Sequence, residues 1–219
     1  MDPGDEGAQS LKRPYLLFDF DGTIANSIDI LYNIMNQMAP SYGWEEISPD
    51  DFEVIRNMSA ATIIRMAGLP FYKIPFLIRK VLNEYKKHLA DLHPYPGIRE
   101  MLMQLKDDGL NMALLSSNSR ANVMNFLDRH DLHYFDWVEG TSGVLQKHNR
   151  IKRQIRKHCL DQASVIYIGD ESRDIVASKR CGIRVISVTW GFHTERILNR
   201  YQPDHIVASP AEIPELLKL

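Results

Sequence analysis

No run in this chain approaches the roughly 20 consecutive apolar residues that a membrane-spanning helix requires. Nor does one sign of charge prevail. The 26 lysines and arginines face 28 aspartates and glutamates, so no basic excess is present to condense on a phosphate backbone, and nucleic acid is not an expected partner. Cysteine is scarce. Cys159 and Cys181 each fall in a helix-like stretch with no CxxC or Cys/His spacing, and they read as reduced thiols outside the chemistry. The start, MDPGDEGAQS, is polar and acidic where a secretory signal is basic and then apolar, so a cytoplasmic protein is expected. Internal repeats and low-complexity segments are missing as well.

What remains is an ordinary globular composition, 44% hydrophobic and 25% charged over 219 residues. A chain of this length buries roughly 70% of its unfolded surface, as one domain or as a core domain with a sizeable insertion. Residues 15–20 form a short apolar run without alternation, the pattern of a strand covered on both faces of a parallel sheet. Similar runs recur at 110–115, 165–168 and 185–188, with a weaker fifth at Ile206 and Val207. Helical patterns fill the intervals at 98–108, 121–129, 151–158 and 175–181, with Gly109 and Gly182 placed as C-terminal stops. This alternation predicts an α/β fold: a doubly wound, Rossmann-like parallel sheet.

The stretch 24–92 breaks the rhythm, with helical periodicity and no convincing strand. Ile24, Ile28, Leu31, Met35 and Met38 make a helical stripe that Pro40 is expected to end, and Ser48-Pro49 and Ser59 are placed to cap two further helices. Ile63, Ile64 and Met66 make the third element apolar before Gly68, and 76–92 supplies a fourth. His93-Pro94-Tyr95-Pro96-Gly97 is a stiff linker back to the α/β pattern. The expected organisation is a core of residues 1–23 and 95–219 with a helical insertion at 24–94.

The chemistry gathers at strand ends. In Asp19-Phe20-Asp21-Gly22-Thr23 the two acids stand at i and i+2, which turns them to one side, while Gly22 permits a sharp exit. Taken alone this is also compatible with a strand-to-helix turn in which an aspartate caps the helix. A second apolar run delivers Gly169-Asp170-Glu171, with Asp174 close behind, to the same sheet edge, where open α/β sheets bind ligands. Two acidic strand ends suit one hard divalent ion. A third run ends in Ser116-Ser117-Asn118-Ser119, a set of neutral donors for phosphate oxygens or an N-cap cluster for the next helix. Lys147, with Lys152, Arg153, Arg156 and Lys157 nearby, is either a counter-charge or part of a solvated helix face. In this order the four groups supply a nucleophile, phosphate donors, a counter-charge and metal ligands.

Over residues 15–207 these motifs resemble the haloacid dehalogenase-like phosphohydrolases, and the helical insertion looks like the family's C1 cap, as in phosphoglycolate phosphatase-like members. The resemblance implies that Asp19 attacks phosphorus to give an aspartyl phosphate and that Asp21 serves as general acid and then base. It makes Ser116 and Lys147 catalytic partners and assigns Gly22, Thr23, Ser117 and Asn118 to the phosphate. Mg2+ is expected on Asp19, the backbone carbonyl of Asp21, and Asp170, with Glu171 and Asp174 outside the direct ligands. Arg56 and Asn57 occupy the position of the family's substrate-specificity loop. His193, after Trp190-Gly191-Phe192, reads as a surface histidine. The implied partner is a small phosphorylated metabolite, for a monomer or homodimer. A phosphomutase of the same family and a non-catalytic binding module with a decayed site are the alternatives. Asp21 weighs against a dehalogenase, which carries an aromatic residue there.

Overall fold

The computed structural model describes residues 13–66, 68, 70–140 and 147–218; the polar start at 1–12 lies outside the described residues. Six strands, β1 (Tyr15–Phe18), β2 (Asn111–Ser116), β3 (Trp137–Gly140), β4 (Val165–Gly169), β5 (Arg184–Val188) and β6 (His205–Val207), form one sheet in the order β3-β2-β1-β4-β5-β6. All neighbouring pairs are parallel. The helical insertion carries α1 (Ile28–Tyr42), α2 (Pro49–Arg56), α3 (Ala60–Met66) and α4 (Ile74–Lys87). The sheet is flanked by α5 (Ile98–Asp107), α6 (Arg120–Arg129), α7 (Lys147–Lys157), α8 (Ser172–Cys181), α9 (Glu195–Tyr201) and α10 (Glu212–Leu216). This strand order is doubly wound, and it opens a crevice at the C-terminal ends of β1 and β4, where the winding direction reverses.

Alternation along the strands divides the core in two. Leu16, Phe18, Met112, Leu114, Ile166 and Ile168 pack on one face with side chains of α5 and α6. Leu17, Ala113, Leu115, Val165 and Tyr167 pack on the other with side chains of α7 and α8. With both faces covered, the central strands need apolar residues at every position, which is why their runs do not alternate. β3 escapes that pattern because it is an edge strand of four residues in which Val138 alone is buried. The short helices α9 and α10 carry too few turns to show a period, and they too escape it. Helices α6, α7 and α8 begin before their first apolar positions, because a polar first turn leaves no periodic signal; Lys147 thereby falls on α7.

Within the insertion, Ser48 and Ser59 cap as expected, accepting the N–H of Asp51 at 3.1 Å and of Thr62 at 3.2 Å. Pro40 does not end α1. It sits in the last turn, where the missing N–H costs a single hydrogen bond, and the helix stops at Gly43, whose φ of 67° lets Trp44 N–H reach the Ala39 carbonyl at 3.0 Å. Ile24 packs with the sheet core rather than in the α1 stripe, whose buried members are Ile34, Met38 and Ala39. Cys159 lies beyond α7 in an exposed turn at φ 51°, while Cys181 ends α8, buried. The two linkers of the insertion run side by side, Asn26 N–H donating to His93 and Tyr95 N–H to Ile24. Among the described residues no helix is long and apolar enough to cross a membrane.

Leu114 lies on β2 beside Phe18 of the central strand β1 and is fully buried. Leu114→Ala should lower unfolding free energy by about 2–5 kcal/mol through lost transfer energy and a residual cavity. The loss should appear in denaturant titration as a lower midpoint with an unchanged slope.

Candidate active site

Asp19 extends the β1 ladder, its N–H donating to Ile168 at 2.8 Å. The alternation that turns Leu17 toward α7 and α8 carries the Asp19 carboxylate to the same side. Phe20 goes the other way and meets the Phe126 ring edge-on at 5.0 Å. Asp19 Oδ1 accepts the Phe20 N–H at 2.9 Å, and Oδ2 accepts from Lys147 Nζ at 2.5 Å. Lys147 also hydrogen-bonds Asp174 and lies over the Tyr167 ring, 5.0 Å from its centroid. One ammonium thereby joins the end of β1 to the first turn of α8.

Asp170, at the end of β4, accepts the Thr23 hydroxyl at 3.1 Å and the Phe192 N–H at 2.7 Å. Two glycines make room for it. At Gly22, with φ 78°, a Cβ would lie 2.1 Å from Asp170 Oδ2, and one at Gly191 would lie 2.1 Å from the Asp170 Cβ. Asp174 completes the group, its Oδ2 accepting the Glu171 N–H at 3.1 Å.

Asp19, Asp170 and Asp174 are buried and each offers an oxygen within 4.8 Å of the others. Burial pushes Asp19 above the usual carboxylate range, against the pull of Lys147. Burial, then Glu171 and Asp174, push Asp170 up further. Burial lowers the Lys147 pKa, but Asp174 and Asp19 outweigh it and hold the ammonium charged. Three carboxylates against one ammonium leave an excess of buried negative charge, and each carboxylate oxygen keeps a second lone pair beyond its present donor. That oxygen-only set fits a hard divalent cation such as Mg2+.

Asp21 is half-buried and accepts a hydrogen bond from the Tyr85 hydroxyl of α4. Burial raises its pKa to about 6, against that hydrogen bond, which lowers it. Beside it a cleft of about 790 Å3 opens between α4 and the β2–α6 loop, with Asp21, Tyr85, Arg79, Lys86, Ser117 and Asn118 on its walls. Ser116 is fully buried at the end of β2; its Oγ accepts the Asn118 N–H at 2.9 Å. Ser119 caps α6 by accepting the Asn122 N–H at 3.3 Å. The Ser-Ser-Asn-Ser stretch thus combines roles: Ser117, Asn118 and Ser119 line the cleft, and Ser119 also caps α6.

Other residues singled out in the sequence stand further off. Arg56 donates from Nε to the Phe192 carbonyl at 2.9 Å and from Nη2 to that of Gly191 at 2.8 Å, and it pairs with Glu53. Asn57 accepts from the Thr194 hydroxyl. Both residues tie the insertion to the loop after β5. Glu171 pairs with Arg173 at 2.5 Å.

His193 is 2% exposed and is not a surface histidine. The loop carrying it is drawn inward by the bond from Phe192 to Asp170. Its Nδ1 accepts the Ser172 N–H at 2.9 Å, so Nε2 carries the proton and donates to the Met58 carbonyl at 3.0 Å. Burial lowers its pKa.

Two site residues are absent from the sequence reading, Tyr85 and Arg150, while Gly191 and His193 are named there without a place in the site. Arg150 hydrogen-bonds the Ser116 carbonyl and follows Lys147 by three residues, one turn along the same helix face, a spacing open to inspection. Tyr85 gave no signal, since an aromatic in an amphipathic helix reads as packing.

Comparison with known proteins agrees with this geometry. A profile of the haloacid dehalogenase-like hydrolase family matches residues 16–188. The phosphoglycolate phosphatase of Synechococcus elongatus is 33% identical over 199 residues, which cover 90% of this chain and 94% of that protein. The phosphoglycolate phosphatase of Vibrio cholerae is 26% identical, with 87% and 91% covered. Among solved structures, a haloacid dehalogenase-like hydrolase from Streptococcus pneumoniae superposes with a TM-score of 0.79 at 24% identity, covering 94% of this chain and 99% of that one. At that identity the superposition speaks for the fold alone. A family match over most of the chain, joined to a relative of such identity along nearly its whole length, means that this chain belongs to the haloacid dehalogenase-like hydrolases.

Proposed function

We propose that the chain is a Mg2+-dependent phosphatase that hydrolyses a small phosphorylated metabolite through an aspartyl phosphate on Asp19. The relatives' names put 2-phosphoglycolate first among substrates to test. The observation that carries this reading is the contact of Lys147 with both Asp19 and Asp174 beside the buried Asp170. A fixed cation among acids lets a phosphoryl group approach an anionic nucleophile. Asp19, Asp170 and the Asp21 backbone carbonyl are the groups that would hold Mg2+, which when bound supplies positive charge to the phosphoryl oxygens.

An oxygen of Asp19 forms the new bond to phosphorus as the bond to the leaving oxygen breaks. Asp21, with a pKa of about 6, gives that oxygen a proton and later takes one from the water that hydrolyses the acyl phosphate. Lys147 and Ser116 hold phosphoryl oxygens, with Ser117 and Asn118 at the cleft wall. Gly22 and Thr23 keep Asp170 in place, the first by leaving room and the second by its hydroxyl. The leaving group occupies the cleft under α4. Arg56 and Asn57 set how closely the insertion seats over it.

Three outcomes are expected. Asp19→Asn preserves size but removes the nucleophile, so phosphate release should fall below about one hundredth of wild type with an unchanged circular dichroism spectrum; a higher residual rate would remove Asp19 from that role. Activity should vanish in EDTA and return with Mg2+, whereas Ca2+, which takes more ligands at longer distances, should inhibit. Full activity in EDTA overturns the metal dependence. Asp21→Asn should lower kcat/KM for an alkyl phosphate by about 10²- to 10⁴-fold, and much less for p-nitrophenyl phosphate, whose leaving group needs no proton. Equal losses on the two esters would exclude Asp21 as the acid.

A further inference from the structure

Tyr85 lies outside every strand-end motif, yet its phenol donates to Asp21 Oδ1. The residue belongs to α4, in the helical insertion, and its ring packs against the core cluster that holds Phe20, Ile24 and Leu92. A carboxyl group turns about its last side-chain bond in a broad, two-fold well, so a half-buried aspartate beside an open cleft has no preferred plane of its own. Proton transfer needs one: the donor oxygen must stand within hydrogen-bond reach of the leaving oxygen.

We propose that Tyr85 is a positioning residue for Asp21, fixing Oδ1 from the insertion side so that Oδ2 carries the transferable proton toward the leaving group. This rests on the reading of Asp21 as general acid. A phenol suits the task because its rigid ring is held by packing and its single O–H leaves the second carboxyl oxygen free. Because α4 carries the donor, the acid is oriented only while the insertion is seated. The bonds of Arg56 to the loop after β5 and of His193 to Met58 keep it there.

The test is a pair of substrates in a double-mutant cycle. Tyr85→Phe keeps the ring and removes the donor. On the Mg2+-loaded full chain it should lower kcat/KM for an alkyl phosphate by about 10- to 100-fold and leave p-nitrophenyl phosphate nearly unchanged. Inhibition by inorganic phosphate should not move, since it does not depend on the phenol. In the Asp21→Asn background the same substitution should have no further effect, because the group it orients no longer gives a proton. Equal losses on both esters, a loss that persists beside Asp21→Asn, or no loss on the alkyl ester would each overturn the proposal. If Asp21→Asn by itself loses rate equally on both esters, the acid reading has failed, and that is seen before Tyr85 is changed.

Discussion

The structure turns on how negative charge is tolerated at the C-terminal edge of the sheet. Asp19, Asp170 and Asp174 are all buried within a few ångströms of one another, an arrangement that water would otherwise have to solvate. Lys147 answers part of it, and backbone N–H groups of Phe20, Glu171 and Phe192 answer more, each fixed by the turn that leaves its strand. Removing one partner of such a buried pair typically costs about 3–5 kcal/mol, because the other charge stays behind. Stability therefore asks for a cation at position 147, and a bound divalent cation would relieve the charge that the lysine leaves unanswered.

Glycine supplies the space for that crowding. Gly22 and Gly191 both press on Asp170 and approach one another there, so the loops after β1 and β5 close together on the end of β4. The loop after β5 then continues outward. Gly191 and Phe192 accept from Arg56, His193 reaches Met58, and Thr194 reaches Asn57. Four consecutive residues thus connect a carboxylate of the site with the helical insertion, and a shift of either is felt by the other.

The sequence was legible where local pattern and tertiary role coincide. Apolar runs without alternation mark the central strands, since both faces are covered, and acids at their ends mark the C-terminal sheet edge, where open α/β sheets bind ligands. It was opaque where a residue's role depends on what arrives from elsewhere in the chain. β3 is too short and too polar to stand out. Pro40 was read by its general effect on helices, although its position in the final turn makes that effect small. His193 is polar and sits in a glycine-containing turn, which suggests exposure; only the packing of the insertion makes it a buried bridge. Arg56 and Asn57 stand by resemblance in a substrate-specificity loop, and in the fold they bond both to Glu53 of α2 and to the loop after β5, contacts that no local pattern foretells. Tyr85 is the plainest case, since its partner is more than sixty positions away.

The pairing of β1 bears on how the chain reaches this state. Tyr15 aligns with Asn111 on one side and Val165 on the other, so the strand at the centre of the sheet is made first and finds both neighbours late. Contacts so distant in sequence make folding slow, and a nascent chain that has emerged only through the insertion carries an apolar strand with two open edges. The insertion can collapse on itself in that interval, because its two ends meet at Asn26 and His93. On the ribosome β4 emerges only after the insertion, β2 and β3, so Asp19 waits for much of the chain before Asp170 and Asp174 can join it, and the loop after β5 that closes on Asp170 comes later still.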